Sequence, residues 1–229
     1  MPQSNTIIWL GNFNALTGGL FLLAAFGLVA TRQIQGCVRL FIASSLLLAT
    51  SALLLSVIYG EWHLIIVSAV DIATKAIVIP WLLRRSLHEE VYTRREVTQV
   101  LNIPTALLIA LALAIAAYLF ARQLTVPGSA AAVGVNLPIG MATLFIGALT
   151  ATVRREAVPL FLGLLAMENA AFFAGIGVAP EMPLVAEVSI AFDVLILVFV
   201  VGVLTRAVHE QIGTTEVGAL TVLREEPMR

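Results

Sequence analysis

Five ionisable side chains fall inside stretches that are otherwise apolar: Asp71, Lys75, Glu168, Glu187 and Asp193. A charge at mid-bilayer costs ~2.5–3.5 kcal/mol on insertion scales, so residues of this kind mark proton or ion pathways, or pair with one another. Asp71 and Lys75 are spaced i,i+4, share one helix face and can pair. Such a pair is also a switch, because drawing one partner away changes the proton affinity of the other. The plainer alternative is a structural ion pair that fixes helix packing. Lys75 is the only lysine in the chain. Glu168, in Met167–Glu168–Asn169, has no cation near it in sequence. A lone buried carboxylate suits a group that loads and releases protons; the alternative is a neutral acid hydrogen-bonded to a neighbouring helix. Asp193 reads the same way. Glu187 lies one turn into its helix and is either part of the relay or solvated. The five residues together make a candidate proton relay. No catalytic residue, cofactor site or metal site is predicted in this chain. Cys37 is a lone cysteine, and His63, His88 and His209 fall between or beyond the apolar stretches, which argues against a bis-histidine haem.

These residues must be positioned by membrane helices. The chain has 229 residues, 60% hydrophobic and 12% charged, with net charge −1 and a mean hydropathy of +1.00. A soluble domain is typically ~25% charged, and disorder needs low apolar content and high net charge. The apolar residues form long runs rather than alternating, which excludes a β-barrel. At ~20 residues per span, the chain reads as an all-α, polytopic membrane protein with seven transmembrane helices. The expected spans are roughly 8–30, 38–59, 64–83, 104–121, 136–153, 157–178 and 184–205. The division is an N-terminal three-helix region with a cytoplasmic loop (1–103), a C-terminal four-helix region (104–206) and a cytoplasmic tail (207–229). No soluble domain, basic run suited to nucleic acid or signal-peptide n-region is expected.

Charge sets the orientation. Arg32, Arg39, Arg84, Arg85, Arg94, Arg95, Arg154, Arg155, Arg206, Arg224 and Arg229 fall on one side, and Arg122 alone on the other. The positive-inside rule places the eleven in the cytoplasm, so the N-terminus is outside and the C-terminus inside. Lys75, Glu168 and Asp193 then lie near the midpoints of three different spans. Three ionisable groups at one depth form a lateral relay if their helices are neighbours.

The remaining polar and small residues read as packing devices. Asn12, Asn14 and Thr17 give the first span a polar stripe for interhelical hydrogen bonds. Gly18–Gly19, Gly163 and Gly175-x-Gly177 read as close-packing sites. Pro104 and Pro138 sit near span starts, where a missing N–H does little harm. Gly60–His63 is a short link, which implies antiparallel neighbours. Glu61, Glu156 and Glu181 are interfacial. The loop 84–103 and the tail beyond Arg206 suit contact with other subunits.

Several stretches resemble the hydrogenase-4 component E family, membrane subunits of formate-hydrogenlyase-type complexes. They are Leu165–Ala166–Met167–Glu168–Asn169–Ala170, Ala191–Phe192–Asp193, Gly213–Thr214–Thr215–Glu216–Val217 with Leu220–Thr221–Val222–Leu223, and Thr74–Lys75 with Val78–Ile79–Pro80. The last three spans are also similar to the K-type subunit of respiratory complex I and of cation/proton antiporters. Leu165 stands where that subunit has its first glutamate, Glu168 follows three residues later on the same face, and Asp193 replaces the second. The resemblance implies a non-catalytic subunit of an oxidoreductase complex in the cytoplasmic membrane of a prokaryote. Its implied partners are the lipid bilayer, antiporter-like and quinone-subunit-like membrane proteins, and a peripheral hydrogenase-type module on the cytoplasmic side. A [NiFe] centre and iron–sulfur clusters would reside in partner subunits. The implied role is to relay protons between redox module and pumps. The competing readings are a small subunit of a multisubunit cation/proton antiporter and a purely structural membrane bridge. A retinal protein fits seven spans and one buried lysine, but the last span carries Asp193 and no lysine.

Overall fold

A computed structural model of the chain describes residues 2–81, 101–124, 131–154 and 157–180. All its regular elements are helical: α1 (Pro2–Ala30), α2 (Ile34–Tyr59), α3 (His63–Asp71) running into a π-helical segment (Ile72–Val78), α4 (Ile103–Leu124), α5 (Ala131–Val153) and α6 (Ala157–Val178). Six helices are long and apolar enough to cross a membrane, with α3 and its π segment counted as one span, His63–Trp81. The chain is a multi-pass membrane protein. Helix is the outcome because a backbone in hydrocarbon must satisfy its own N–H and C=O groups, and these Leu-, Ala-, Ile- and Val-rich runs carry no competing pattern. The seventh expected span, 184–205, lies outside the described residues, as do the loop 84–100 and the tail.

The helices alternate in direction. Gly60 ends α2 in a left-handed conformation (φ 77°) and its N–H bonds Ser56 O at 2.8 Å, a turn only glycine makes without strain. The chain reverses there, and Ser68 Oγ donates to Ala49 O at 3.0 Å, tying α3 back onto α2. One end of the bundle holds Gly60, His63 and Pro180, where His63 Nε2 lies 3.0 Å from Pro180 O. The other holds Arg32, Arg39 and Arg154. Arg154 is buried, and its Nη2 donates to Leu28 O (2.8 Å), Val29 O (3.1 Å) and Thr31 O (2.6 Å). These carbonyls end α1, where intrahelical donors run out and the helix dipole favours a cation.

α5 and α6 make the closest pair. A Cβ on Gly140 would meet Ala174 Cβ at 2.7 Å and Ala170 O at 2.8 Å; on Gly163 it would meet the Ala151 N at 2.8 Å. Gly18 and Gly177 are likewise enclosed, by Ile139 and Phe173 and by Asn136. Gly19 is not: nothing lies within 4 Å of its Cβ position and it is exposed. The glycine pair is therefore one packing residue and one outward residue, because adjacent helical positions point 100° apart. α1 and α5 both begin before their expected limits of 8 and 136. Pro138 consequently lies inside α5 rather than near its start. The residue four before it, whose carbonyl a proline ring crowds, is Gly134, with nothing within 4 Å of its Cβ position.

Candidate functional site

Lys75 stands in the middle of the π-helical segment. Ile79 N–H bonds Thr74 O, five residues back. Two sequence features favour that spacing. Pro80 has no N–H to give Ala76 O and its ring crowds that carbonyl. Thr74 Oγ1 donates to Val70 O at 2.8 Å, a hydroxyl-to-carbonyl bond that bends helices. π segments recur at functional sites because they re-aim side chains.

The lysine joins two helices. Lys75 Nζ lies 2.7 Å from Asp71 Oδ1 on its own span, and donates to Glu168 Oε1 on α6 at 2.8 Å, with Oε2 also at 2.8 Å. Glu168 is therefore not the lone carboxylate that its sequence neighbours predict. The correction has a plain cause: a cation 93 residues away in the chain can be one hydrogen bond away in space. Lys75 lies twelve residues beyond His63 and Glu168 twelve before Pro180, at the shared Gly60 end. At ~1.5 Å per residue both sit ~18 Å in, near the middle of a ~30 Å hydrocarbon core. Leu165, one turn from Glu168, packs in one cluster with Ile79, Cys37 and Phe41.

One amine faces two carboxylates. Fully ionised, the three groups sum to −1; one added proton makes them neutral. The side chains differ in access: Lys75 is 1% exposed, Asp71 2% and Glu168 13%. Among the described residues, Glu168 is the open edge of the cluster. Asp193 and Glu187 lie outside the described residues, and no group of three or more His, Cys, Asp or Glu that could hold a metal occurs among the described ones.

A second buried polar cluster lies nearer the Gly60 end. Ser51 Oγ donates to Asn14 Oδ1 (2.6 Å), Asn14 Nδ2 to Asn136 Oδ1 (2.7 Å) and Asn136 Nδ2 to Ser51 Oγ (3.3 Å). The ring links α1, α2 and α5. Of the expected stripe on α1, only Asn14 bonds between helices this way: Thr17 Oγ1 donates to Phe13 O of its own helix and Asn12 is exposed. Asn136 and Ser51 are ring members that the polar stripe of α1 alone does not reveal; an amide in an apolar run was the available signal. Asn14→Leu is expected to cost ~1–2 kcal/mol, the upper range for interhelical hydrogen bonds in membranes, read as a lowered denaturant midpoint in mild detergent. A third contact joins α6 to α2: Asn169 Nδ2 donates to Ser45 Oγ (3.0 Å) and reaches Ser44 Oγ (3.5 Å).

No family model and no solved structure matches the chain. It is 32% identical over 221 residues to the uncharacterized protein Rv0085 of Mycobacterium tuberculosis (strain ATCC 25618 / H37Rv), an alignment covering 93% of this chain and 98% of that one. That protein and this one match along nearly their whole lengths, across the span that carries Asp71 and Lys75 and the helix that carries Glu168 alike. The chain belongs to the family of Rv0085.

Proposed function

We propose that this chain is a membrane-arm subunit of a complex-I-like, group 4 [NiFe]-hydrogenase or formate-hydrogenlyase-type complex, in which it relays protons between the peripheral redox module and antiporter-like subunits. The observation that carries the reading is the Asp71–Lys75–Glu168 cluster: one amine between two carboxylates, from two spans, at mid-membrane depth. Its charge arithmetic stores one proton, and Glu168 is its accessible edge, which favours lateral exchange over a vertical pore. In this reading the chain has seven spans, its N-terminus outside and its C-terminus in the cytoplasm, with the last three spans similar to the K-type subunit. Asp193 and Glu187 continue the relay. The alternation of helices puts Arg32, Arg39 and Arg154 at one end of the bundle and Arg122 at the other, which supports that orientation in the cytoplasmic membrane. The redox centres belong to partner subunits.

The sealing of Asp71 and Lys75 favours a second reading, a static strut that only bridges membrane neighbours. Glu168→Gln separates the two. The amide keeps the shape and an oxygen for Lys75 but cannot ionise. In the purified complex, reconstituted in liposomes, redox-driven proton movement is expected to fall roughly a hundredfold, the scale of a lost proton-transfer group, with subunit composition unchanged. Undiminished proton movement leaves the strut. Purification without nickel and iron–sulfur subunits would favour the third reading, a small subunit of a cation/proton antiporter.

A further inference from the structure

Two layers of side-chain polar groups stand out in the interior, and the sequence spacing sets their separation; the buried hydroxyls that fall between them, Thr17 and Ser68, are each taken up by a backbone carbonyl, Phe13 O and Ala49 O. Ser51 and Ser44 on α2 are seven residues apart, as are Asn136 and Thr143 on α5. Seven residues turn an α-helix to within ~20° of the same face and advance it ~10 Å. The first layer is the Asn14–Ser51–Asn136 ring. The second holds Ser44, Ser45, Thr143 and Asn169, at the depth of Glu168, the residue before Asn169. Within this second layer Thr143 Oγ1 and Asn169 Oδ1 are buried and have no hydrogen-bond partner among the described residues. Buried polar atoms of that kind are the ones that take water.

Between the layers the composition changes. Leu48 lies on α2 between Ser44 and Ser51, on the same face and fully buried. Phe173 lies one turn along α6 from Asn169, on the way to Gly177 beside the ring. Phe21 lies seven residues beyond Asn14 on α1, and side chains on a helix lean toward its N-terminus, so its ring reaches back toward the gap. Phe21 and Phe173 stack with centroids 4.7 Å apart and planes at 11°. All three side chains are essentially inaccessible and share one apolar cluster.

We propose that Phe21, Leu48 and Phe173 form an apolar plug that separates the Asn14–Ser51–Asn136 ring from the water-binding layer beside Glu168, and so closes the protein to proton flow along its own axis. An apolar constriction excludes water, and without water no proton crosses. The geometry stands without the proposed relay; only its purpose, keeping relayed protons from leaking across the bilayer, rests on that reading.

The test uses the full chain in liposomes loaded with a pH-sensitive dye, with an imposed proton gradient. The wild-type chain should leave the vesicles as tight as empty ones. Phe21→Ala with Phe173→Ala should raise the proton leak on the order of tenfold or more, and adding Glu168→Gln should return it toward the wild-type rate. Leu48→Gln places a polar group in the plug while keeping most of its length, and should leak likewise; it decides the matter if the double alanine variant does not fold. Wild-type tightness in folded Leu48→Gln overturns the plug, and so does a wild-type chain that already leaks. A leak that Glu168→Gln leaves unchanged overturns the placement of the second layer beside Glu168. The relay itself is judged separately, by redox-driven transport in Glu168→Gln with the plug intact.

Discussion

Replacing Lys75 with methionine is expected to be the most damaging single change in the described helices. Methionine fills most of the lysine stem but leaves Asp71 and Glu168 facing one another with no amine between them. Removing one member of a buried ion pair costs ~3–5 kcal/mol, because the remaining charge has lost its partner in a poorly hydrated place. Here two carboxylates lose it at once. Lys75→Met should therefore melt well below the wild-type chain in mild detergent, or fail to accumulate in the membrane. The rescue is as informative as the loss. Adding Asp71→Asn and Glu168→Gln removes the stranded charges, and replacement of a whole buried ionic cluster is often neutral in stability. The triple variant should recover most of the lost stability, while the proposed proton relay stays absent. Thermal unfolding of the three chains side by side checks this; a Lys75→Met chain that melts like the wild type contradicts the placement of the lysine between the acids.

The second large effect is steric. Gly140→Leu puts a side chain where a Cβ alone already meets Ala174 Cβ at 2.7 Å and the backbone of Ala170 and Ala174 at 2.8 Å. Backbone cannot rotate aside as a flexible side chain can, so α5 and α6 must separate. Overpacking a close-packed interior costs ~1–3 kcal/mol, and separating this pair also strains Gly147 and Gly163 on the same seam, whose Cβ positions meet Met167 and Ala151. Gly140→Leu should lower stability by at least that range. Gly19→Leu is the matched control: its Cβ position meets nothing within 4 Å, and the added side chain should be close to neutral. The difference between the two melting temperatures measures the seam rather than the general cost of leucine in a membrane helix.

The sequence carries the fold class, and it does so through solvent physics. Hydrocarbon offers no hydrogen bonds, so long apolar runs become helices whatever their neighbours. The six described spans follow from that alone, with α6 spanning 157–178 as the apolar run predicts. Chain ends of helices were less legible. α1 begins at Pro2, a residue suited to the first helical position, and α5 begins at Ala131–Ala132, strong helix formers, so both helices start ahead of the limits that hydropathy suggests, and the extension of α5 turned Pro138 from a start residue into an interior one.

The site divides in the same way. Asp71 and Lys75 are four residues apart, and a contact of that range is written in helix geometry. Thr74 and Pro80 are local as well, yet their joint effect on the backbone, a π segment around Lys75, is a balance of hydrogen bonds that residue spacing does not display. Glu168 marks the boundary between the two kinds of information. Its presence in an apolar helix announces a buried acid, while its partner depends on which helix lies beside α6. Arg154 is similar: the arginine was visible at a span end, but its role of gathering the carbonyls of Leu28, Val29 and Thr31 at the end of α1 needed α1 and α5 to run in the same direction.

Repeated crossing of the membrane, and the presence of ionisable groups there, can be read from the residues in order, because burial in lipid and periodicity along a helix are one-dimensional properties. Helix packing was needed to hold Lys75 by acids on two helices, to close Asn14 in a ring with Ser51 and Asn136, and to stack Phe21 on Phe173 between that ring and Glu168. Those are pairings between helices, and lipid-facing apolar surfaces leave helix order open until close packing of small residues and mutual satisfaction of buried polar groups select one arrangement.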